Sequence, residues 1–290
     1  MKTFLHTENL NVLKQWKDKK WECILTEPNF SYRHPHIQTE SEFIEFYNQT
    51  VELGYHPYIQ VNGYIEESQL NDLKNWLNKT IELNPKGFYF NDFAVYNHLK
   101  SVNYSGEIIY SPETILTNAM DIEVLLERVD RVVLSKELTL EEITQLMTLY
   151  PNKIEAFGLG YGLMSFSKRP LVRNYLDEIG VRKEVLNHTG LVIKESKRDQ
   201  FFPILEENQG TSIFLDTVLF PKHEQVLLKE SGCFGYHYDD CMLMEDDFNS
   251  LIHLLTDETI SLEEAHLQSK IKLGQAYYYR KTNMSKEEGK

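Results

Sequence analysis

Five polar residues, Asn62, Asp92, Glu113, Glu137 and Arg169, fall at or just after the C-terminal ends of short apolar runs. In a barrel of parallel strands, those ends carry the loops from which active sites are built. The five could therefore converge on one pocket. Arg169 has the planar fork that grips a carboxylate or a phosphate through two hydrogen bonds. A second reading is available for Glu113, Glu137 and Arg169, a structural ion-pair network that holds the barrel mouth. The residue types alone leave both open.

Other constellations carry less. The chain has no HExxH, no GxSxG and no P-loop, which removes the commonest routes to hydrolysis and nucleotide binding. His34 and His36 alternate as metal ligands on a strand would, but Pro35 between them suggests a loop. Asp239, Asp240, Glu245, Asp246 and Asp247 could hold a divalent cation. The last three, however, sit at the start of a helical pattern, where carboxylates complement the N-terminal dipole. Gly158, Gly160 and Gly162 follow an apolar run and could let backbone amides approach a phosphate; glycines at such a turn are equally a steric requirement.

The elements that must position these residues can be read from periodicity. KTFLH, ECILTE, HPYIQVN, GFYFND, EIIYSPE, RVVLSKE and KIEAFGL read as strands, separated by helical patterns at the spacing of βα units. Thr39 with Glu42, Thr139 with Glu142 and Ser261 with Glu264 each fit the capping box that opens a helix. SQLNDLKNWLNKTIEL and TNAMDIEVLLERV place apolar residues three and four apart, so each should bury one stripe against the sheet. The expected fold is an α/β, TIM-like (β/α)8 barrel forming a single domain over residues 1–280. LVIKES, FFPILEE and TSIFLDTVLFP, short β-like runs with little helix between them, suggest an irregular or elaborated C-terminal third. Residues 281–290 read as a charged, flexible tail.

Composition bounds the partners. The 290 residues include 41% hydrophobic and 12% aromatic side chains, enough to fill such a core. No run approaches the ~20 apolar residues of a membrane span, and the N-terminus turns polar after Leu5, too early for a secretion signal. A cytoplasmic protein is expected, with no membrane partner. Cys23, Cys233 and Cys241 form no CxxC pair and read as free thiols. The formal charge of -14 argues against broad binding of nucleic acid, DNA included. One basic island stands out. Lys168, Arg169, Arg173, Arg182, Lys183, Lys194, Lys197 and Arg198 face only Asp177, Glu178, Glu184 and Glu195 over residues 168–198, a patch that could meet an RNA backbone.

One segment is more specific than any of these. EAFGLGYGLMSFSKRPLVRNYL resembles the signature of peptidase family U32, the collagenase-like peptidases, through Glu155, Gly160, Arg169, Leu171, Asn174 and Tyr175. SPETILTNAMDIEVL resembles the family's Glu-Thr segment through Glu113, Thr114, Thr117 and Asn118, and RVVLSKELTLEEI resembles a further strand and helix through Glu137, with Lys136 in place of arginine. HPYIQVNGYI supplies Asn62, Tyr32-Arg33 resembles an early loop arginine, and GQAYYYRKTN resembles the ending of the short members. Two departures stand against this. Leu159 occupies the place of a family histidine, and Leu163 and Pro170 occupy the places of two cysteines that in many relatives help to hold an iron–sulfur cluster.

The resemblance implies a barrel in which Glu113, Glu137 and Arg169 are catalytic candidates and Arg33, Asn62, Thr117, Asn118 and Asn174 contact substrate, with no metal. It implies participation in the prephenate-dependent 5-hydroxylation of the wobble uridine of tRNA, prephenate being a co-substrate of the pathway. Without the cluster ligands, this chain is expected to carry no cofactor of its own and to work beside a longer, cluster-bearing paralogue, with tRNA meeting the basic island. A peptidase, or a non-catalytic scaffold subunit, is the alternative.

Overall fold

The computed structural model describes residues 1–194, 196–197 and 199–280. The expected charged tail, residues 281–290, lies outside the described residues, as do Glu195 and Arg198 of the basic island.

Strand and helix alternate from the start: β1 (Lys2–His6), α1 (Leu10–Trp16), β2 (Glu22–Thr26), α2 (Glu40–Glu52), β3 (Tyr58–Val61), α3 (Leu70–Glu82), β4 (Gly87–Phe90), α4 (Phe93–Ser101), β5 (Glu107–Tyr110), α5 (Ala119–Leu126), β6 (Arg131–Val133), α6 (Leu140–Leu149) and β7 (Ile154–Ser167). After α7 (Leu171–Glu178), β8 (Val192–Lys194), β9 (Phe201–Glu207) and β10 (Gly210–Leu219), the alternation resumes with α8 (Glu224–Glu230), β11 (Gly235–Asp239), α9 (Glu245–Thr256), α10 (Leu262–Gln268) and β12 (Leu273–Gly274).

Strands β1 to β7 pair in order and in parallel, and β11 pairs in parallel with both β1 and β7, closing an eight-stranded barrel. The outward residues of the strands, among them Leu5, Leu25, Ile59, Phe88, Val132 and Tyr238, pack beneath the helices. The inward residues Phe4, Ile24, Tyr58, Tyr89, Ile109 and Val133 fill the lumen, so the barrel is a packed core and not a pore. All three expected capping boxes form, opening α2, α6 and α10. Helix α3 buries the expected stripe, Leu73, Trp76 and Leu77. Helix α5 does so only in part: Ile122 is its one buried residue, and Met120 and Val124 are exposed.

Two features depart from the sequence reading. The eighth barrel strand is GYHYD, which carries only tyrosines as apolar residues. In addition, β7 does not stop at Leu159 but runs on to Ser167, and its extension pairs antiparallel with β10, which pairs antiparallel with β9. The irregular C-terminal third is thus a small sheet grafted on a barrel strand. Arg169 follows the end of that extension, not the end of a barrel strand.

The extension leaves the barrel at Gly160, whose φ is +131°; a Cβ there would lie 2.4 Å from the Asp239 carbonyl oxygen. Gly158 sits where a Cβ would strike the Tyr236 ring at 2.1 Å. These glycines serve the close approach of β7 to β11 rather than a phosphate. Gly160→Ala should lower the unfolding free energy by about 2–3 kcal/mol, combining a left-handed backbone with a clash. At Gly162 the nearest obstacle is the flexible tip of Leu215, so Gly162→Ala should cost less than about 1 kcal/mol. Urea unfolding of both variants checks the contrast.

Candidate functional site

The loop after β2 carries Arg33, and four side chains, one from the loop itself and three from elsewhere, hold its backbone. Buried Glu27 accepts hydrogen bonds from the Asn29 and Phe30 amides at 2.8 and 2.9 Å, from the Ser31 hydroxyl at 2.5 Å and from the Trp76 indole at 2.7 Å. Asn62, just past β3, accepts from the Tyr32 amide at 2.9 Å and donates to its carbonyl at 3.2 Å. Glu207, at the end of β9, accepts from the amides of Arg33 at 2.7 Å and His34 at 2.8 Å. Glu8 accepts from those of His36 and Ile37, each at 3.0 Å. Together they fix Arg33 at φ +67°, a conformation that a non-glycine residue keeps only when its surroundings impose it.

The guanidinium so presented is buried in the barrel mouth. Its Nη1 donates to Asp239 at 2.9 Å, and its Nη2 donates to Glu113. Glu113 also accepts from Lys136 at 2.6 Å, and the Lys136 ammonium lies 4.3 Å from the centroid of the Phe157 ring. Burial opposes the charge on Glu113, but Arg33 and Lys136 more than offset it and hold the carboxyl below its ordinary range. Burial pushes Lys136 down, with Glu113 opposing. Two cations and two carboxylates, each side chain less than a tenth exposed, thus balance one another, the condition under which buried ions persist.

Below this layer lies a second. Glu155 accepts from Tyr89 at 2.8 Å, from His237 Nε2 at 2.7 Å and from Arg131, whose Nη2 also reaches Glu107 at 2.9 Å. His237 Nδ1 lies 3.0 Å from His6 Nε2. His6, Arg33 and Asp239 border both a small inner chamber next to Glu113 and Lys136 and an outer cleft of about 470 Å³ walled by the loops after β1, β2 and β11. In the cleft wall, Asp240 accepts from Thr7, and burial pushes its carboxyl well up.

The expected site residues separate into groups. Arg33 and Glu113 meet. Asn62 stands behind them as a clamp on the Arg33 loop. Glu137 turns away and, among the described residues, hydrogen-bonds only to the Ile115 amide, at 3.5 Å, while its neighbour Lys136 faces the mouth. Arg169 and Asn174 are exposed on the grafted unit. Thr117 is exposed, and Asn118 caps α5 through the Asp121 amide at 3.0 Å. Asp92 caps α4. The structural network read for Glu113, Glu137 and Arg169 forms instead from Glu113, Arg33, Lys136 and Asp239. His34 is not placed as a metal ligand: its ring nitrogens face the carbonyl oxygens of Ser31 at 2.7 Å and Ile37 at 3.0 Å, so both act as donors.

Residues 17–184 match the profile of Peptidase family U32. The chain belongs to that family. A curated relative, tRNA hydroxylation protein P2 of Bacillus subtilis (strain 168), is 24% identical over 195 residues, which is 65% of this chain and 62% of that protein. The chain therefore matches less than two thirds of that relative's length. Among solved structures, the Bacillus cereus spore cortex-lytic enzyme SleL is 12% identical, with a TM-score of 0.43 over 86% of this chain and 72% of that one. A class V chitinase from Pseudomonas fluorescens Pf-5 is 11% identical, with a TM-score of 0.44 over 87% and 99%. Likenesses this loose carry no argument.

The cysteine positions that the resemblance associates with a cluster and the three cysteines of this chain lie apart. Leu163, at one family cysteine position, packs among Tyr32, Leu205, Phe214 and Cys241. Cys23 faces the helix layer from β2, while Cys233 and Cys241 flank opposite ends of β11, and all three are buried with their thiols pushed up, chiefly by burial. Among the described residues, no three His, Cys, Asp or Glu side chains are placed to hold a metal.

The clamp on the loop carries its own pH signature. Burial raises the Glu8 carboxyl from 4.5 to about 7, against the pull of His34 and the two amides. A group whose folded pKa lies above its unfolded value stabilises fully below the unfolded one, and that contribution is lost as pH rises through the folded one. Glu8→Gln keeps an acceptor for the loop amides and removes the titration. Its unfolding free energy relative to the parent should climb between roughly pH 4.5 and 7.5, and a difference that stays flat across that window in urea titrations would contradict the assignment.

Proposed function

We propose that this U32 chain acts in the prephenate-dependent 5-hydroxylation of the wobble uridine of tRNA, as a cluster-free member beside a longer, cluster-bearing paralogue. The match to a tRNA hydroxylation protein is the observation that carries this reading. The mouth is compatible with it. A cleft of about 470 Å³ falls in the range that holds small acids and nucleobases. The Arg33 Nε–H donor is buried and has no partner among the described residues, and a carbonyl or anion would satisfy it if a ligand shifted the side chain toward the cleft. Prephenate, as a dicarboxylic acid, or the uracil carbonyls would serve.

The basic island is the proposed contact for tRNA. Lys168 is tied to Glu66 and Arg173 to Glu206, but Arg169, Arg182 and Lys183 are exposed and have no ion pair with a described partner. Their removal should weaken RNA binding broadly and flatten its salt dependence. Among the described residues, no helix is long and apolar enough to cross a membrane, and a cytoplasmic site of action accords with a tRNA substrate. The peptidase alternative finds little support in Cys241, the thiol of the cleft wall, because burial, with Asp239 next, pushes it far from the thiolate form that attacks.

Deleting the gene in a strain with no redundant pathway should abolish 5-hydroxyuridine derivatives in digested tRNA, read by mass spectrometry. Plasmid-borne Arg33→Ala should restore less than about a tenth of them. Unchanged nucleosides after deletion would sink the proposal. Recovery of the tagged protein alone from its native host would sink the paralogue part of it.

A further inference from the structure

Glu155, His237 and His6 form a chain that leads from the barrel centre to the cleft. Phe4 on β1 pairs with His237 and His6 with Asp239, so His6 stands one inward step above His237, at the level of the mouth. The links are 2.7 Å from Glu155 Oε2 to His237 Nε2 and 3.0 Å from His237 Nδ1 to His6 Nε2.

Hydrogen-bond accounting sets the protons. Glu155 already accepts from Tyr89 and Arg131, and against the opposing effect of burial it is held below its ordinary range by the hydrogen bond from His237 and by Arg131. As a carboxylate it can only accept, so His237 carries a proton on Nε2, and the neutral ring then offers the lone pair of Nδ1. His6 then donates from Nε2. The two nitrogens of an imidazole point away from each other, so His6 Nδ1 turns away from His237 with its lone pair free, and no described residue bonds to it.

We propose that His6 Nδ1 is the proton acceptor of the mouth cleft, presented by the Glu155–His237–His6 chain to a ligand bearing a weakly acidic N–H or O–H. The logic is that of a base oriented by a second group and a buried carboxylate. In the transfer, the ligand's N–H or O–H bond breaks, the electron pair stays on the ligand, and the proton binds Nδ1. Arg33, which lines the cleft with His6, stabilises the ligand anion, and Lys136 adds positive charge from the inner chamber behind it. Glu155, through His237, stabilises the imidazolium, with Asp239 and Glu113 adding negative charge nearby. Burial, with the Arg33 and Lys136 charges acting in the same sense, holds the pKa of the free His6 well below the usual histidine value, so the ring is neutral and its lone pair available at physiological pH. Naming a uracil imide as the ligand rests on the proposed role in tRNA hydroxylation; the tautomer does not.

The two parts are tested separately. Long-range proton–nitrogen spectra of the histidine-labelled protein at pH 7.5 should show His6 Nδ1 as an unprotonated, pyridine-type nitrogen and Nε2 as pyrrole-type, and Glu155→Gln should shift that balance. A protonated Nδ1 in the parent protein overturns the proposal. In the deletion strain, His6→Asn should yield at least about tenfold less 5-hydroxyuridine, while a thermal midpoint within a few degrees of the parent confirms that it folds. Full activity of His6→Asn, where deletion abolishes the modification, also overturns it. If deletion leaves the nucleosides unchanged, the hydroxylation reading falls and the nitrogen spectra alone decide the assignment of His6.

Discussion

Arg33 has to be buried, charged and left-handed at once, and much of the molecule is arranged around those three demands. A guanidinium removed from water is tolerated only with anionic partners at hydrogen-bond distance. The partners come from distant parts of the chain, Glu113 from the loop after β5 and Asp239 from the end of β11. Lys136, past β6, then balances the second carboxylate oxygen of Glu113. One side chain thereby ties together the loops of β2, β5, β6 and β11 across the mouth. Removing any one member leaves an unpaired buried ion, which costs about 3–5 kcal/mol in comparable settings.

The backbone demand explains the grafted sheet. Glu207 reaches the amides of Arg33 and His34 only because β9 is carried over the mouth by β10 and by the extension of β7. The bend at Gly160 is the start of that path. The insertion is therefore part of the site even though its own surface residues, Arg169 and Asn174, point elsewhere. It fixes the geometry of Arg33 from behind and leaves its outer face for another partner.

The legibility of the sequence follows the same physics. Seven barrel strands could be read because their outward residues must be apolar to meet the helices, and the capping boxes could be read because their chemistry is local. The eighth strand escaped because its inward positions are Gly235, His237 and Asp239, which serve the lumen and the site, so GYHYD lacks an apolar run. Arg33, Glu113 and Asn62 were within reach of strand-end and family reasoning. Lys136 was missed by one residue, since past the end of β6 periodicity no longer tells which of two neighbours turns inward. His6 carried a signal that went unused: it ends the first strand, in phase with inward Phe4. Glu207 and Glu8 carried none, because their role is to hold backbone amides far away in the chain.

A barrel lumen filled only with aliphatic residues would be simpler to stabilise than one holding Arg131, Glu155, His237 and Glu107, given what desolvating those groups costs. Ion pairing for stability alone is a weak reason to keep them. The layer does have a direction, however. Arg131 and Tyr89 fix the Glu155 carboxylate, Glu155 fixes one nitrogen of His237, and His237 fixes one nitrogen of His6. Each link determines where the next proton sits, and the last ring opens on the cleft beside Arg33. A stack that only filled space would have no need to end in a histidine whose second nitrogen bonds to none of the described residues, so the polar lumen is better understood as the support of the mouth than as part of the core.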